Sequence, residues 1–315
     1  FDVAVDKAVA YLRGAVAAEI PHGGHQILAA YALVKCGVPK DDPFVAEAIA
    51  AAVSRSRSGT YQPISAYDHI YGSGVDSMLL ADVDADLYLP NLQAIAEYVQ
   101  SVQRADGSWS NGPQQPGDVS MSQYGVLALW ACQRAKCSVS PAAVDRAAGF
   151  LMTKGNGDGG WGYRPGTTEG PGAGSSTHNM TMAGGGALGI CRMMLHGLRK
   201  PPKQEKKKEE VLPGGLTRID PLEDTNQYGS AFPDYRPQVA ASALDGRVDR
   251  AFGWNLAHLQ PVSRVEHNLY YYYCLERAAA VGDLGKINDE DWFVVFGDGL
   301  LALQVGPFER RLRTL

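Results

Sequence analysis

Several features are scarce in this chain, and each scarcity excludes something. No run of about eighteen apolar residues occurs among its 315 residues, so no membrane-spanning helix is expected. There is no basic excess: 29 Lys and Arg stand against 34 Asp and Glu, a formal net charge of -5. That balance argues against nucleic acid as a partner. Cysteine is sparse and scattered, at Cys36, Cys132, Cys137, Cys191 and Cys274, with no Cys-x-x-Cys pair. These read as small buried apolar residues rather than a disulfide frame or a zinc site, so neither a metal nor any other cofactor is expected. Almost no segment alternates with period two, so strands are not required. The first residue is Phe1 rather than Met, a start compatible with a mature or trimmed domain and with export after removal of a signal peptide. The compartment stays open.

What is abundant is apolar sequence in helical register, 45% of the chain, enough for a sizeable core. One arrangement occurs twice. Asp106-Gly107-Ser108-Trp109 and Asp158-Gly159-Gly160-Trp161 are offset by 52 positions. Before the first, Leu92, Ile95, Val99 and Val102 fall on one helical face; before the second, Val144, Ala147 and Leu151 do so after Pro141. After each Trp comes a Gly- and Pro-rich loop, then a far more apolar helix, Ser122 to Ala135 and roughly His178 to Leu195. The element is an amphipathic outer helix, an Asp-Gly turn, a loop and a buried inner helix. Gly supplies the backbone angles of the turn, Asp satisfies its amides, and Trp covers the end of the helix pair.

The alternation continues with weaker punctuation. Asp2 to Ala18 pairs with His25 to Cys36, Pro43 to Ser54 with about Tyr71 to Leu80, and Val239 to Leu259 with Ser263 to Val281. Asp289 to Leu303 opens a sixth pair, and the tail "GPFERRLRTL" carries no pattern. Inner helices that are apolar on nearly all sides are buried most economically by closure into a double-layered ring. The expected fold is therefore all-α: a single domain over residues 1–315, an (α/α)6 toroid or double-layered helical barrel, incomplete at the C-terminus. Residues 198–238, beginning with the charged "LRKPPKQEKKKEEVLPGG", interrupt it as a solvated and largely irregular insertion.

Gln103-Arg104-Ala105-Asp106-Gly107-Ser108-Trp109 resembles the glutamine–tryptophan repeat of the squalene cyclase and protein prenyltransferase superfamily, and Leu151 to Trp161 is a looser copy. Gly117 to Gly125 and its inner helix fit the same superfamily, and the likeness extends over Val3–Gly197 and, more weakly, Ala240–Gln304. The resemblance implies a terpenoid cyclase-like α/α toroid with prenyltransferase/squalene oxidase repeats, and a central cavity that binds an apolar or isoprenoid ligand. It implies a scaffold more than an activity. The cyclases' Asp-x-Asp-Asp acid motif is matched only by "DVDAD", with Asp82, Asp84 and Asp86, where the third Asp falls one place late; capping of the next helix is the commoner use of such residues. The zinc-binding Asp-x-Cys of the prenyltransferases is absent. No catalytic residue is assigned.

Four histidines stand near the starts of the proposed inner helices: His25, His69, His178 and His267. In a ring these starts open on one end, so a polar mouth is expected from His25, Gln26, Tyr67, His69, Tyr71, Gln123, Tyr124, His178, Asn179, His267 and Asn268. Free helix amides there would add a partial positive charge. Each His has the alternative use of capping its own helix or filling a polar gap in the core. Of the tyrosines in Tyr270 to Tyr273, consecutive on a helix, one or two would face the interior. The Gly184 to Gly186 triplet serves either close helix packing or room in the lumen. Three functions stay open: a toroid for an apolar small molecule, a polysaccharide lyase-like enzyme acting on carbohydrate with Arg164 neutralising a uronate, and a non-catalytic repeat scaffold.

Overall fold

A computed structural model describes residues 2–14, 23–112, 114–167, 174–199, 229–258, 268–282, 286–287 and 290–303. Apart from one two-residue ladder, the regular structure of the described residues is all helical. The helices are α1 (Asp2–Arg13), α2 (Gly24–Lys35), α3 (Pro43–Arg55), α4 (His69–Asp84), α5 (Leu89–Ser101), α6 (Val119–Arg134), α7 (Pro141–Lys154), α8 (His178–His196), α9 (Ala241–Ala257), α10 (Asn268–Val281) and α11 (Trp292–Leu303). A two-residue antiparallel ladder, Lys286–Ile287 on Glu290–Asp291, precedes α11. Residues 200–228, most of the expected insertion, lie outside the described residues, as do 15–18 of the expected first helix, His267 and the 304–315 tail.

The helices sort into two kinds by burial. In α6, 14 of 16 residues are buried, and in α8, 16 of 19. In α5 the buried set is Leu92, Ala94, Ile95, Ala96 and Val99, the stripe expected of an amphipathic helix. Each even-numbered helix packs on the next, α2 on α4, α4 on α6, α6 on α8 and α8 on α10. The odd-numbered helices lie against them: α3 on α2 and α4, α5 on α4 and α6, α7 on α6 and α8, α9 on α8. Local chemistry starts several of these helices. Asp42 caps α3 by accepting from Phe44 and Val45 amides ahead of Pro43, and Asp118 and Thr177 cap α6 and α8 by accepting from Met121 and Met180. The Asp118 cap starts α6 at Val119, three residues earlier than the apolar pattern suggests, so Gln123 and Tyr124 sit a turn inside the helix.

The two Asp-Gly corners are built from the same contacts. Gly107 and Gly159 have φ of 88° and 106°, angles that favour glycine. A Cβ on either would strike the backbone of the following outer helix, at Arg146 O and Arg250 O. The indoles of Trp109 and Trp161 are fully buried and donate to Val99 O at 2.8 Å and Leu151 O at 3.0 Å. Their amides donate to the hydroxyls of Ser122 and Thr181, both at 3.2 Å. Gly125 and Gly184 clear the ring faces: a Cβ would sit 2.6 Å from Trp109 and 2.8 Å from Trp161. Gly185 and Gly186 are pressed against Ala251 and Ala278, so the glycine triplet serves close packing of α8 on the Trp161 indole, α9 and α10.

One position explains why the second corner reads as a looser copy. Gln103 donates to Gly107 O at 3.0 Å and Ala143 O at 2.9 Å. The residue offset by 52 is Gly155, with no side chain to do this. There the Arg247 guanidinium of α9 enters instead, donating to Gly159 O at 2.7 Å and Gly160 O at 3.0 Å and lying 3.8 Å from the Trp161 ring centroid. A Cβ on Gly155 would overlap Arg247. Arg247 is 2% exposed, and burial pulls its pKa down to about 10.

The "DVDAD" aspartates divide. Asp84 accepts from Leu87 N at 3.1 Å and pairs with Lys40, holding the turn after α4 rather than capping α5, whose cap is Tyr88. Asp82 lies inside α4 and ties it to α2 and α6 through Tyr31, Lys35 and Arg134. Asp86 has neither role. Among the described residues no helix is long and apolar enough to cross a membrane, and no group of three His, Cys, Asp or Glu could hold a metal ion.

Candidate functional site

The N-terminal halves of α4 and α6 and the middle of α10 bring a polar and aromatic group together. Gln123 is buried; its Oε1 accepts from the Tyr270 hydroxyl at 2.7 Å and its Nε2 reaches the Cys274 sulfur at 3.4 Å. Tyr124 meets Tyr71 edge-on at 5.0 Å and stacks on Tyr273 at 6.1 Å. The tyrosine run of α10 spreads as consecutive helical residues must. Tyr270 and Tyr273 turn to α6, Tyr271 donates to Asn255 of α9 at 2.9 Å, and Tyr272 approaches Gly299 of α11. Arg277, one turn beyond Tyr273, lies 5.0 Å from its ring centroid and acts on Tyr31 of α2. Burial pushes the Tyr273 hydroxyl and the Cys274 thiol up to about 12, and raises Tyr71, Tyr124 and Tyr270 as well. These groups are uncharged hydrogen-bonding surface near neutral pH.

Tyr71 connects this aromatic group to a buried acid. Its hydroxyl is 2.6 Å from Ser120 Oγ, which donates to Asp118 Oδ1 at 2.9 Å. Tyr163 acts on the same serine, and its carbonyl accepts from Val119 N at 3.0 Å. Asp118 Oδ1 also accepts from Met121 N at 2.6 Å. Asp118 Oδ2 is buried without a hydrogen-bond partner among the described residues. Asp118 is 0% exposed, and desolvation raises its pKa to about 6 against the opposing pull of its hydrogen bonds and the Arg164 charge. Exposed Tyr67 completes the outer side of the group.

Three of the four expected histidines, His25, His69 and His178, go elsewhere, and His267 lies outside the described residues. His25 is exposed beside buried Gln26. His69 is built into the seam between α4 and α5: Nε2 donates to Ser110 O at 2.8 Å and Nδ1 lies 2.9 Å from the Tyr98 hydroxyl, so both nitrogens are used. His178 donates from Nε2 to His258 O at 2.6 Å and lies 5.2 Å from Trp254 and 5.8 Å from Tyr271, in the seam between α8, α9 and α10. His69 and His178 share no partner. Asn179 is buried next to His178; Asn268 opens α10. Of the expected mouth residues, the structure therefore gathers Tyr71, Gln123 and Tyr124, with Tyr67 on their outer side. Asp118, Ser120 and Tyr163 were not foreseen. Their only signal is Asp118-Val119-Ser120 at a helix start, which any capped helix shows; burial distinguishes this one. A separate cleft of about 20 Å³ between Arg192, Asp245, Val248 and Val281 is large enough for a water at most and lies away from these residues.

No protein-family model matches the chain, and no curated protein is significantly similar to it in sequence.

Proposed function

We propose that the chain is an α/α toroid of the squalene cyclase and protein prenyltransferase type, and that it binds an apolar ligand of isoprenoid class against the tyrosines inside it. One observation carries this reading. Side chains of helices that do not follow one another in packing order meet in the middle: Gln123 and Tyr124 of α6 with Tyr270 and Tyr273 of α10, and Tyr31 of α2 with Arg277 of α10. That convergence fits the inner helices bending round a shared interior, with α11 as the outer helix of a sixth pair. Tyrosine offers a ring face to a hydrocarbon chain and a hydroxyl to its polar end. The matching Asp-Gly-Trp corners support the repeat reading of the sequence.

The chemistry of the acid limits the reaction. Alkene protonation needs an unusually strong carboxylic acid, whereas Asp118 is weakened by burial. Binding, or proton exchange with oxygen groups near neutral pH, suits it better. The test is calorimetric titration and thermal shift with farnesol, geranylgeraniol and squalene. Saturable binding with a raised melting temperature is expected, and Tyr124→Ala should weaken it. Absence of heat and of protection with every lipid would sink the proposal.

A second reading draws on Arg164, which lies over the Tyr163 ring and whose charge acts on Asp118. A cation near a tyrosine and a carboxyl suits proton abstraction next to a uronate. Incubation with acidic polysaccharides decides it: an ultraviolet-absorbing unsaturated product is required.

A further inference from the structure

The C-terminal end of α6 brings two thiols together. Its last turn closes as a Schellman motif: Cys137 N donates to Cys132 O at 2.9 Å and Lys136 N to Gln133 O at 2.9 Å, with Lys136 at a φ of 64°. Residues joined by the longer of these two bonds, here Cys132 and Cys137, set their side chains against each other. Ends closed in this way fall within the roughly 4–7 Å Cα separation that a disulfide spans. Both cysteines are free, and both belong to one buried core. Cys132 is fully buried, whereas Cys137 is 8% exposed. A side-chain hydrogen bond between them pushes the Cys132 thiol well up and holds Cys137 below the ordinary thiol value. Cys132 Sγ also reaches Leu92 O of α5 at 3.4 Å.

We propose that Cys132 and Cys137 are a reversible oxidation site, which a peroxide converts to an intrachain disulfide. Two thiols and one hydrogen peroxide give one disulfide and two waters. Cys137 reacts first, because it alone of the pair meets solvent and its thiolate accepts the hydrogen bond. Its sulfur attacks a peroxide oxygen and the O–O bond breaks. The departing hydroxide takes the proton that Cys137 released and leaves as water, and Cys137 becomes a sulfenic acid. The Cys132 sulfur then attacks the Cys137 sulfur. The S–O bond breaks, and the second hydroxide leaves as water with the Cys132 proton. A peroxide is small enough for so narrow an exposure, which a tripeptide disulfide is not. Oxidation removes the hydrogen that Cys132 directs at Leu92 O, so the end of α6 is tied to its own last turn and released from α5 at that point.

The experiment treats the intact, folded chain with hydrogen peroxide, then denatures it, alkylates it with iodoacetamide and digests it with trypsin. Trypsin cuts after Arg134 and Lys136, so the disulfide joins peptides 105–134 and 137–146. The joined pair should be lighter by two hydrogens than the two free peptides and should separate in dithiothreitol. Cys132→Ser should stop the reaction at the sulfenic acid, trapped on Cys137 by dimedone; the wild type should show little trapping, because Cys132 resolves it. Cys137→Ser should leave fully buried Cys132 to react at least about tenfold more slowly with peroxide. Should either serine variant fail to fold, the wild-type peptides decide alone. Recovery of both cysteines as alkylated thiols, at a peroxide dose that oxidises exposed Cys36, would overturn the proposal. So would Cys137 driven to sulfinic acid without joined peptides, or either cysteine joined to Cys36 of a second chain instead.

Discussion

Asp118 gives the sharpest test of the buried site, because burial moves its proton affinity in a calculable direction. Its carboxyl rises from 3.8 to about 6 in the folded chain, with desolvation the largest cause. At low pH both folded and unfolded chains hold the proton. As pH rises through about 4 the unfolded carboxyl ionises first, and the folded one follows only near 6. Folding stability therefore falls across this window and then levels off. A roughly hundredfold change in proton affinity corresponds to about 3 kcal/mol. Asp118→Asn keeps a good helix cap, since Asn accepts an amide hydrogen bond about as well as Asp, but it cannot ionise. The comparison is urea unfolding of both proteins, followed by tryptophan fluorescence, at a series of pH values from about 4 to 8. The difference between variant and wild type should move in favour of the variant by about 3 kcal/mol between the ends of the series, with the change centred between the two pKa values. Other carboxylates cancel because they are common to both proteins. A difference independent of pH would show that Asp118 is ionised as easily as in water, and the argument from its burial would be wrong.

Gly125→Ala and Gly184→Ala should each cost about 1–3 kcal/mol, because the added methyl would lie 2.6 Å and 2.8 Å from buried indoles; Gly149→Ala, with open space on α7, should be neutral or stabilising in the same thermal melts. Asp76 is 0% exposed and holds Arg55 through two hydrogen bonds of 2.8 and 2.6 Å while accepting from Tyr61 at 2.8 Å, so Asp76→Ala strands a cation and should cost about 3–5 kcal/mol by chemical denaturation. Arg247→Ala should cost about 2–4 kcal/mol through lost carbonyl hydrogen bonds and lost contact with Trp161. In that background Gly155→Gln should restore part of the loss, whereas in the wild type it should destabilise by colliding with Arg247; equal effects in both backgrounds would refute the substitution of one donor for the other.

Much of the helical order was legible because it is written in local chemistry. The stripe of Leu92, Ile95 and Val99 and the breadth of the apolar run after Asp118 distinguish amphipathic from buried helices without reference to anything distant. Prolines and capping residues mark several helix starts. Errors appeared where a start depends on a cap rather than on apolar pattern, as at Val119. They also appeared where a charge string has several uses: Asp82 binds two neighbouring helices while Asp84 holds a turn, and nothing in "DVDAD" itself separates them.

The site was less legible for a physical reason. Position at a helix start fixes where a residue begins, but not which way its side chain leaves the helix. His69 and His178 occupy equivalent starts and turn into seams between helices, where backbone carbonyls await their ring nitrogens. Tyr71 starts only two residues after His69 and turns to the opposite partner, Ser120 of α6. An offset of two residues rotates a side chain by about 200° round a helix, so an inward residue sits close in sequence to an outward one. The same arithmetic separates Tyr270 and Tyr273, which face α6, from Tyr271 and Tyr272, which do not. Polar residues gathered at helix starts are therefore weak guides to a mouth. What singles out Asp118 among the capping residues is the cost of burying its carboxylate away from bulk solvent, and that cost exists only once the helices on either side have closed over it.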